Sequence, residues 1–377
     1  MTLRTYSPLV ACLLLAAICL VPFSGASAME VSKRQVEVVF VLDTTGSMAA
    51  LIDGAKKKIW SIANVIIDKN PDASVRFGLV GYRDLGDEYV TRHFSLTEDV
   101  QAIYGQLLAF KADGGGDTPE SVNEALDVAI NKMHWSDSTR ITADRILFLV
   151  GDAPPHMDYP QDRKYPEIIA EAVQRGIIVN TVQAGGASST KKVWREMAKL
   201  GGGEYHAIPQ DGGRVIVIAT PYDTEINRIQ MELNKTVIPY GSVRQQNEVR
   251  SKAGMYAEAP AASSVEMSRY VSKAGGGKSV ITGDGDLTAV FMDEDSSLDL
   301  ASLAKDELPE PMQAMTPEER TAYVAEQAKK REALARELAE QNAKRDAYIA
   351  QEAAAAPAQP ADSFDASVSA TLEKQMK

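Results

Sequence analysis

The stretch Val36-Glu37-Val38-Val39-Phe40-Val41-Leu42-Asp43-Thr44-Thr45-Gly46-Ser47 decides the fold class. Glu37 apart, its first seven residues are apolar at odd and even positions alike and rich in β-branched side chains. That is the pattern of a strand buried on both faces. The run ends in an acidic, hydroxyl-rich turn. An amphipathic helix from Ala49 to Lys69 follows and is stopped by Asn70-Pro71.

Working outward, the same alternation recurs. Val75 to Tyr82 and Ile146 to Val150 have strand character, and Arg92 to Ser95 has that of a short edge strand. Thr97 caps a helix running to Phe110, and Pro119 to Met133 is expected to be helical with Pro in its first turn. Helices over Tyr165 to Arg175, Lys191 to Leu200 and Tyr222 to Leu233 alternate with strands over Ile177 to Val182 and Glu204 to Ile208. Strands and helices taking turns predict a doubly wound α/β domain, a mostly parallel sheet with helices on both faces, over residues 34–235.

Polar residues gather where such a sheet binds ligands, beyond the carboxyl ends of its strands. Asp43, Thr45 and Ser47 follow the first strand, and Gly151-Asp152 follows the Ile146 to Val150 strand. Gly114-Gly115-Gly116-Asp117-Thr118-Pro119-Glu120 is a loop opening a helix. Asp-x-Thr-x-Ser alone is commonly a turn and helix cap. Five positions in order, each at a strand or helix end, are a constellation.

These residues resemble the metal-ion-dependent adhesion site of von Willebrand factor A (vWA) domains. Thr45 stands where many members carry Ser, and the hydroxyl is kept. Gly81-Tyr82-Arg83-Asp84, Gly114 to Glu120 and Gly151-Asp152-Ala153-Pro154-Pro155-His156 are similar to the type found with some alpha-kinases, though no kinase-like region is present. The resemblance implies strand order 3-2-1-4-5-6, with Asp43 and Asp152 on adjacent strands. It implies that Asp43, Thr45, Ser47, Thr118 and Asp152 hold a divalent cation, and that the last helix, Tyr222 to Leu233, moves when the ligands rearrange. Carboxylates and hydroxyls without Cys or His suit a hard ion, Mg²⁺ or Mn²⁺. Asp117, Glu120 and His156 are expected at the site rim.

Ligands that are mostly neutral leave such an ion electrophilic, able to take an acidic side chain from a protein partner. The expected function is therefore a metal-dependent adhesion or assembly module and not an enzyme. The alternatives are a metal-dependent hydrolase, which lacks an evident base–nucleophile pair, and a structural envelope spacer. A net charge of −12 argues against binding nucleic acid through phosphates.

The ends of the chain differ from its middle. Arg4, the apolar run Leu9 to Val21, Pro22 and Ala26-Ser27-Ala28 form a signal peptide pattern over residues 1–28. The expectation is an exported protein, periplasmic or extracellular and bacterial, with no transmembrane segment in the mature chain. Cys12 and Cys19, the only cysteines, would leave with the signal. Residues 236–315 are a linker or small region of underivable fold. Within them, Gly275-Gly276-Gly277-Lys278-Ser279 lacks the first glycine of a phosphate loop, where Ser272 stands. Asp284-Gly285-Asp286 lacks the rest of a calcium loop. Thr316-Pro317-Glu318-Glu319 starts a charged helix over 316–353. Its thin stripe of Val324, Leu334 and Leu338 suggests an exposed helix or weak coiled coil, and self-association. Residues 354–377 are expected to be a disordered tail.

Overall fold

The computed structural model describes residues 34–137, 139, 141–213, 218–259, 261–273, 285–355 and 363–376. The signal-like segment, the Gly275 to Ser279 stretch and Asp284 lie outside them. Among the described residues no helix is long and apolar enough to cross a membrane.

The sheet has six strands: β1 (Gln35–Asp43), β2 (Ser74–Tyr82), β3 (Thr91–Thr97), β4 (Ala143–Gly151), β5 (Ile177–Ala184) and β6 (Gly202–Ile208). Their order is β3-β2-β1-β4-β5-β6, parallel throughout except for the antiparallel edge strand β3. β1 and β4 lie side by side at the centre, where the strand order reverses. Pleating sends alternate side chains to opposite faces. Val38, Phe40 and Leu42 with Ile146, Phe148 and Val150 enter one core, and Val39, Val41, Leu147 and Leu149 the other. The charge inside β1 is satisfied there. Fully buried Glu37 pairs with Arg76 at 2.5 Å and accepts from Ser136 N–H at 3.1 Å.

α1 (Ala49–Lys69) and α2 (Val100–Ala109) cover the first face; α3 (Val122–Asn131), α4 (Tyr165–Gln174) and α5 (Ser188–Leu200) cover the second. α3 begins later than the sequence suggests. Glu120 bridges to Pro155 instead of entering the helix, which starts at Val122.

Beyond β6 the described residues include the helices α6 (Asp223–Asn234), α7 (Val243–Glu258), α8 (Ala261–Lys273), α9 (Leu287–Phe291), α10 (Glu310–Gln313), α11 (Pro317–Ala355) and α12 (Phe364–Gln375). Two expectations are corrected here. α11 is not an exposed helix: Val324, Ala328 and Leu338 are buried, and Leu338 joins Ile226, Ile229 and Leu233 of α6 and Val265 of α8 in one cluster. Nor are residues 363–376 a disordered tail. Ser363 caps α12 through Ala366 N–H, and Phe364, Val368, Leu372 and Met376 enter the core on the α1 face of the sheet. These residues recur every four positions, so one helical stripe buries them all. Phe364 lies 6.4 Å from the ring of Phe40, and Asp365 pairs with Lys58 of α1 at 2.9 Å.

Candidate functional site

Asp43 is the last residue of β1 and is wholly buried. Its Oδ1 accepts from Thr45 N–H at 2.9 Å and from the Thr45 hydroxyl at 2.6 Å, so the strand end and the turn lock each other. The hydroxyls of Thr45 and Ser47 lie 3.3 Å apart. Two backbone bonds tie this turn to the glycine loop: Asp113 N–H to Thr44 O at 3.1 Å and Gly46 N–H to Gly114 O at 3.2 Å. Asp152 follows β4 directly. Its carbonyl accepts from the Thr190 hydroxyl at 2.9 Å, which holds the segment against α5.

Thr45, Ser47, Asp117, Thr118, Glu120 and Asp152 line one cleft of about 360 Å³, with Asp43 hydrogen-bonded beneath Thr45. The expected residues therefore converge, with one exception. His156 does not line this cleft; it is buried and turned toward Asp84, with Nε2 at 3.4 Å from Oδ2. Two glycines of the loop, Gly114 and Gly115, are required by space and backbone. Gly114 and Gly115 have φ of +75° and +78°. A Cβ on Gly115 would sit 3.1 Å from Thr45 Cβ and 3.3 Å from Glu120 Oε1.

The electrostatics show an excess of negative charge. Burial first, and the neighbouring Asp152 after it, push the Asp43 carboxyl up to about 7 against its Thr45 hydrogen bonds. Glu120 is pushed up to about 9, by burial first and then by Asp43, Asp84, Asp87 and Asp152. Asp43 Oδ2 and Glu120 Oε2 are buried without a hydrogen-bond donor. Unmatched buried acceptors are costly, and a cation satisfies them. The hydroxyl residues Thr45, Ser47 and Thr118 and the carboxylates around them form an oxygen donor set that fits a hard divalent ion.

Two residues outside the expected ligand set support the site. Gln210, in the loop after β6, donates from Nε2 to Asp152 Oδ2 at 2.7 Å and so holds one of the expected ligands. Asp87 accepts from Gly115 N–H at 3.1 Å and steadies the glycine loop. Neither sits in a motif, and both are placed by tertiary contact.

Gly151 is packed tightly against the base of the site. A Cβ there would lie 2.3 Å from the Tyr82 hydroxyl and 3.0 Å from Asp43 Cβ. Both neighbours are fully buried, so nothing yields cheaply. Gly151→Ala is expected to cost about 1–3 kcal/mol of stability by overpacking. Urea unfolding measures it, and wild-type stability would show that Asp43 has room to move.

Residues 37–220 match a family model described as the von Willebrand factor A domain. Among curated proteins, a putative ariadne-like RING finger protein of Acanthamoeba polyphaga mimivirus is 27% identical over 125 residues. The match covers 32% of this chain and 11% of that protein. The alpha-protein kinase vwkA of Dictyostelium discoideum is 28% identical over 123 residues, covering 32% of this chain and 19% of the kinase. The chain thus spans less than a fifth of the length of these relatives. Among solved structures, the SpRpn10 VWA domain is 12% identical at a TM-score of 0.35, covering 47% of this chain and 88% of that one. Proximal thread matrix protein 1 from the mussel byssus is 13% identical at a TM-score of 0.35, covering 48% and 43%.

Proposed function

Residues 37–220 are a von Willebrand factor A domain, generally a protein-interaction module, and from that premise we propose that this chain is an exported, metal-dependent protein-binding module. The observation that carries the reading is the single cleft in which Thr45, Ser47, Thr118 and Asp152 meet above the unpartnered Oδ2 of Asp43. Asp43, Thr45, Ser47, Thr118 and Asp152 would hold Mg²⁺ or Mn²⁺. These residues would present such an ion, when bound, to a partner's carboxylate as an electrophile, with no bond broken.

The chain's own residues do the rest. The hydrogen bonds from Thr45 orient Asp43. Gln210 orients Asp152, and the Gly114–Gly115 backbone, anchored on Asp87, keeps the glycine loop against the Thr45 turn. The Asp117 and Asp152 carboxylates in the cleft repel a partner's carboxylate unless a cation intervenes, which makes recognition conditional on the metal. Export rests on the signal pattern of residues 1–28.

Affinity capture from a cell-envelope extract tests the reading. A specific protein is expected to be retained on the immobilised wild type in Mg²⁺. It should be released by a chelator and absent from immobilised Asp43→Ala. A partner held equally well in chelator would mean that binding does not pass through this cleft.

A further inference from the structure

A second cluster of cation-binding groups shares Asp117 with the lining of the Asp43 cleft and differs from that cleft in chemistry. Asp84 follows β2, His156 follows Pro154-Pro155 after β4, and Asp117 projects from the glycine loop. One ligand atom from each lies within 4.8 Å of the others. Asp84 and His156 are 5% and 6% exposed, so two of the three are built into the protein. Asp84 is braced on both oxygens, accepting from the Ser121 hydroxyl at 2.7 Å and the Tyr159 hydroxyl at 2.8 Å.

His156 is held from several directions. Its carbonyl accepts from Asn123 Nδ2 at 2.6 Å, and its N–H donates to Glu120 O at 3.0 Å. The ring stacks on Tyr159 with centroids 4.0 Å apart. Nδ1 meets Asp158 Oδ1 at 2.8 Å, a contact that favours the Nδ1–H tautomer and leaves the lone pair on Nε2. That Nε2 is buried, has no hydrogen bond and faces Asp84. A lone pair facing a carboxylate across 3.4 Å, with a second carboxylate alongside, is repulsive unless positive charge stands between them.

We propose that Asp84, Asp117 and His156 form a second cation site that takes a borderline divalent transition ion of the Zn²⁺ class. An imidazole nitrogen with two carboxylates suits such an ion better than Mg²⁺ or Ca²⁺. Asp158 behind the imidazole, and Ser121 and Tyr159 behind Asp84, are the outer hydrogen bonds that commonly orient metal ligands. Since Asp117 precedes Thr118, an ion here would tie the glycine loop to the ends of β2 and β4. The inference does not depend on the function proposed for the Asp43 cleft.

Calorimetric titration of Zn²⁺ into the full chain carrying Asp43→Ala separates the two sites. One saturable equivalent is expected. Adding His156→Gln should abolish it. Adding Asp84→Asn, which keeps the side chain's size, should weaken it at least about tenfold. Should a variant misfold, long-range ¹H–¹⁵N spectra of the wild-type imidazoles decide. Zn²⁺ should shift His156 Nε2 while Nδ1 keeps its proton. Retention of the equivalent in His156→Gln overturns the proposal. So does a doubly protonated His156 whose spectrum ignores Zn²⁺, because the intervening charge is then a proton.

Discussion

Phe364→Ala is expected to cost about 3–5 kcal/mol, and a chain ending before Ser363 should lose most of its roughly 5–15 kcal/mol of stability. The reason lies in where α12 sits. Phe364 faces Phe40, which itself stacks on Phe148 at 5.6 Å. The apolar lining around it comes from Leu42, Ala55, Ile59, Ile62 and Leu79. Removing the helix uncovers the α1 face of the central strands. It also breaks the Lys374–Glu204 pair at 2.9 Å and the exchange of hydrogen bonds between Gln375 and Asn180. Phe364 N–H donates to Gly212 O at 3.0 Å, in the loop that carries Gln210 to Asp152. Loss of α12 is therefore expected to loosen the cleft as well. Urea unfolding of Phe364→Ala, and dye binding by the truncated chain, measure these effects. Near-wild-type stability in both would mean that α12 is a dispensable appendage.

Arg331→Met is expected to be comparably damaging, at about 3–5 kcal/mol, because it strands a buried carboxylate. Arg331 of α11 is wholly buried and pairs with the equally buried Asp286 at 2.6 Å. The guanidinium also donates to the Thr236 hydroxyl at 2.8 Å and to its carbonyl at 2.9 Å. Asp286 Oδ1 accepts from Ile238 and Thr288 N–H, each at 3.1 Å. One ion pair thus joins α11, the residues following α6 and the start of α9. Replacing both partners, as Asp286→Asn with Arg331→Met, should recover part of the loss, because no lone charge then stays buried. A single-variant cost below about 1 kcal/mol, the range of exposed pairs, would contradict this account.

The two halves of the chain differed in how much their sequence disclosed. β1 and β4 were legible because both faces are buried, leaving unbroken apolar runs. The turn from Asp43 to Ser47 and the loop from Gly114 to Glu120 were legible because their residue types are unusual at strand ends. The C-terminal half disguised its packing. α11 meets the rest of the molecule partly through Arg331, Asn342 and Arg345, whose polar side chains suggest a solvated helix until their partners are seen. α12 spaces its large apolar residues four apart among Ala, Ser and Asp, after an Ala- and Pro-rich stretch, and so looks like a tail. The role of Gln210 and the orientation of His156 depend on which loops meet in space, which local sequence does not encode.

The central claim, that Asp43 anchors a divalent cation, is tested most directly by calorimetric titration of Mg²⁺ into the wild type and into Asp43→Ala. The acidic chain gathers cations diffusely, and the variant controls for that. One saturable equivalent is predicted in the wild type, with at least about 100-fold weaker binding in a folded Asp43→Ala, at or beyond the roughly 10–100-fold cost of losing an outer-shell partner alone. Equal, weak, unsaturable uptake by both folded proteins would contradict it.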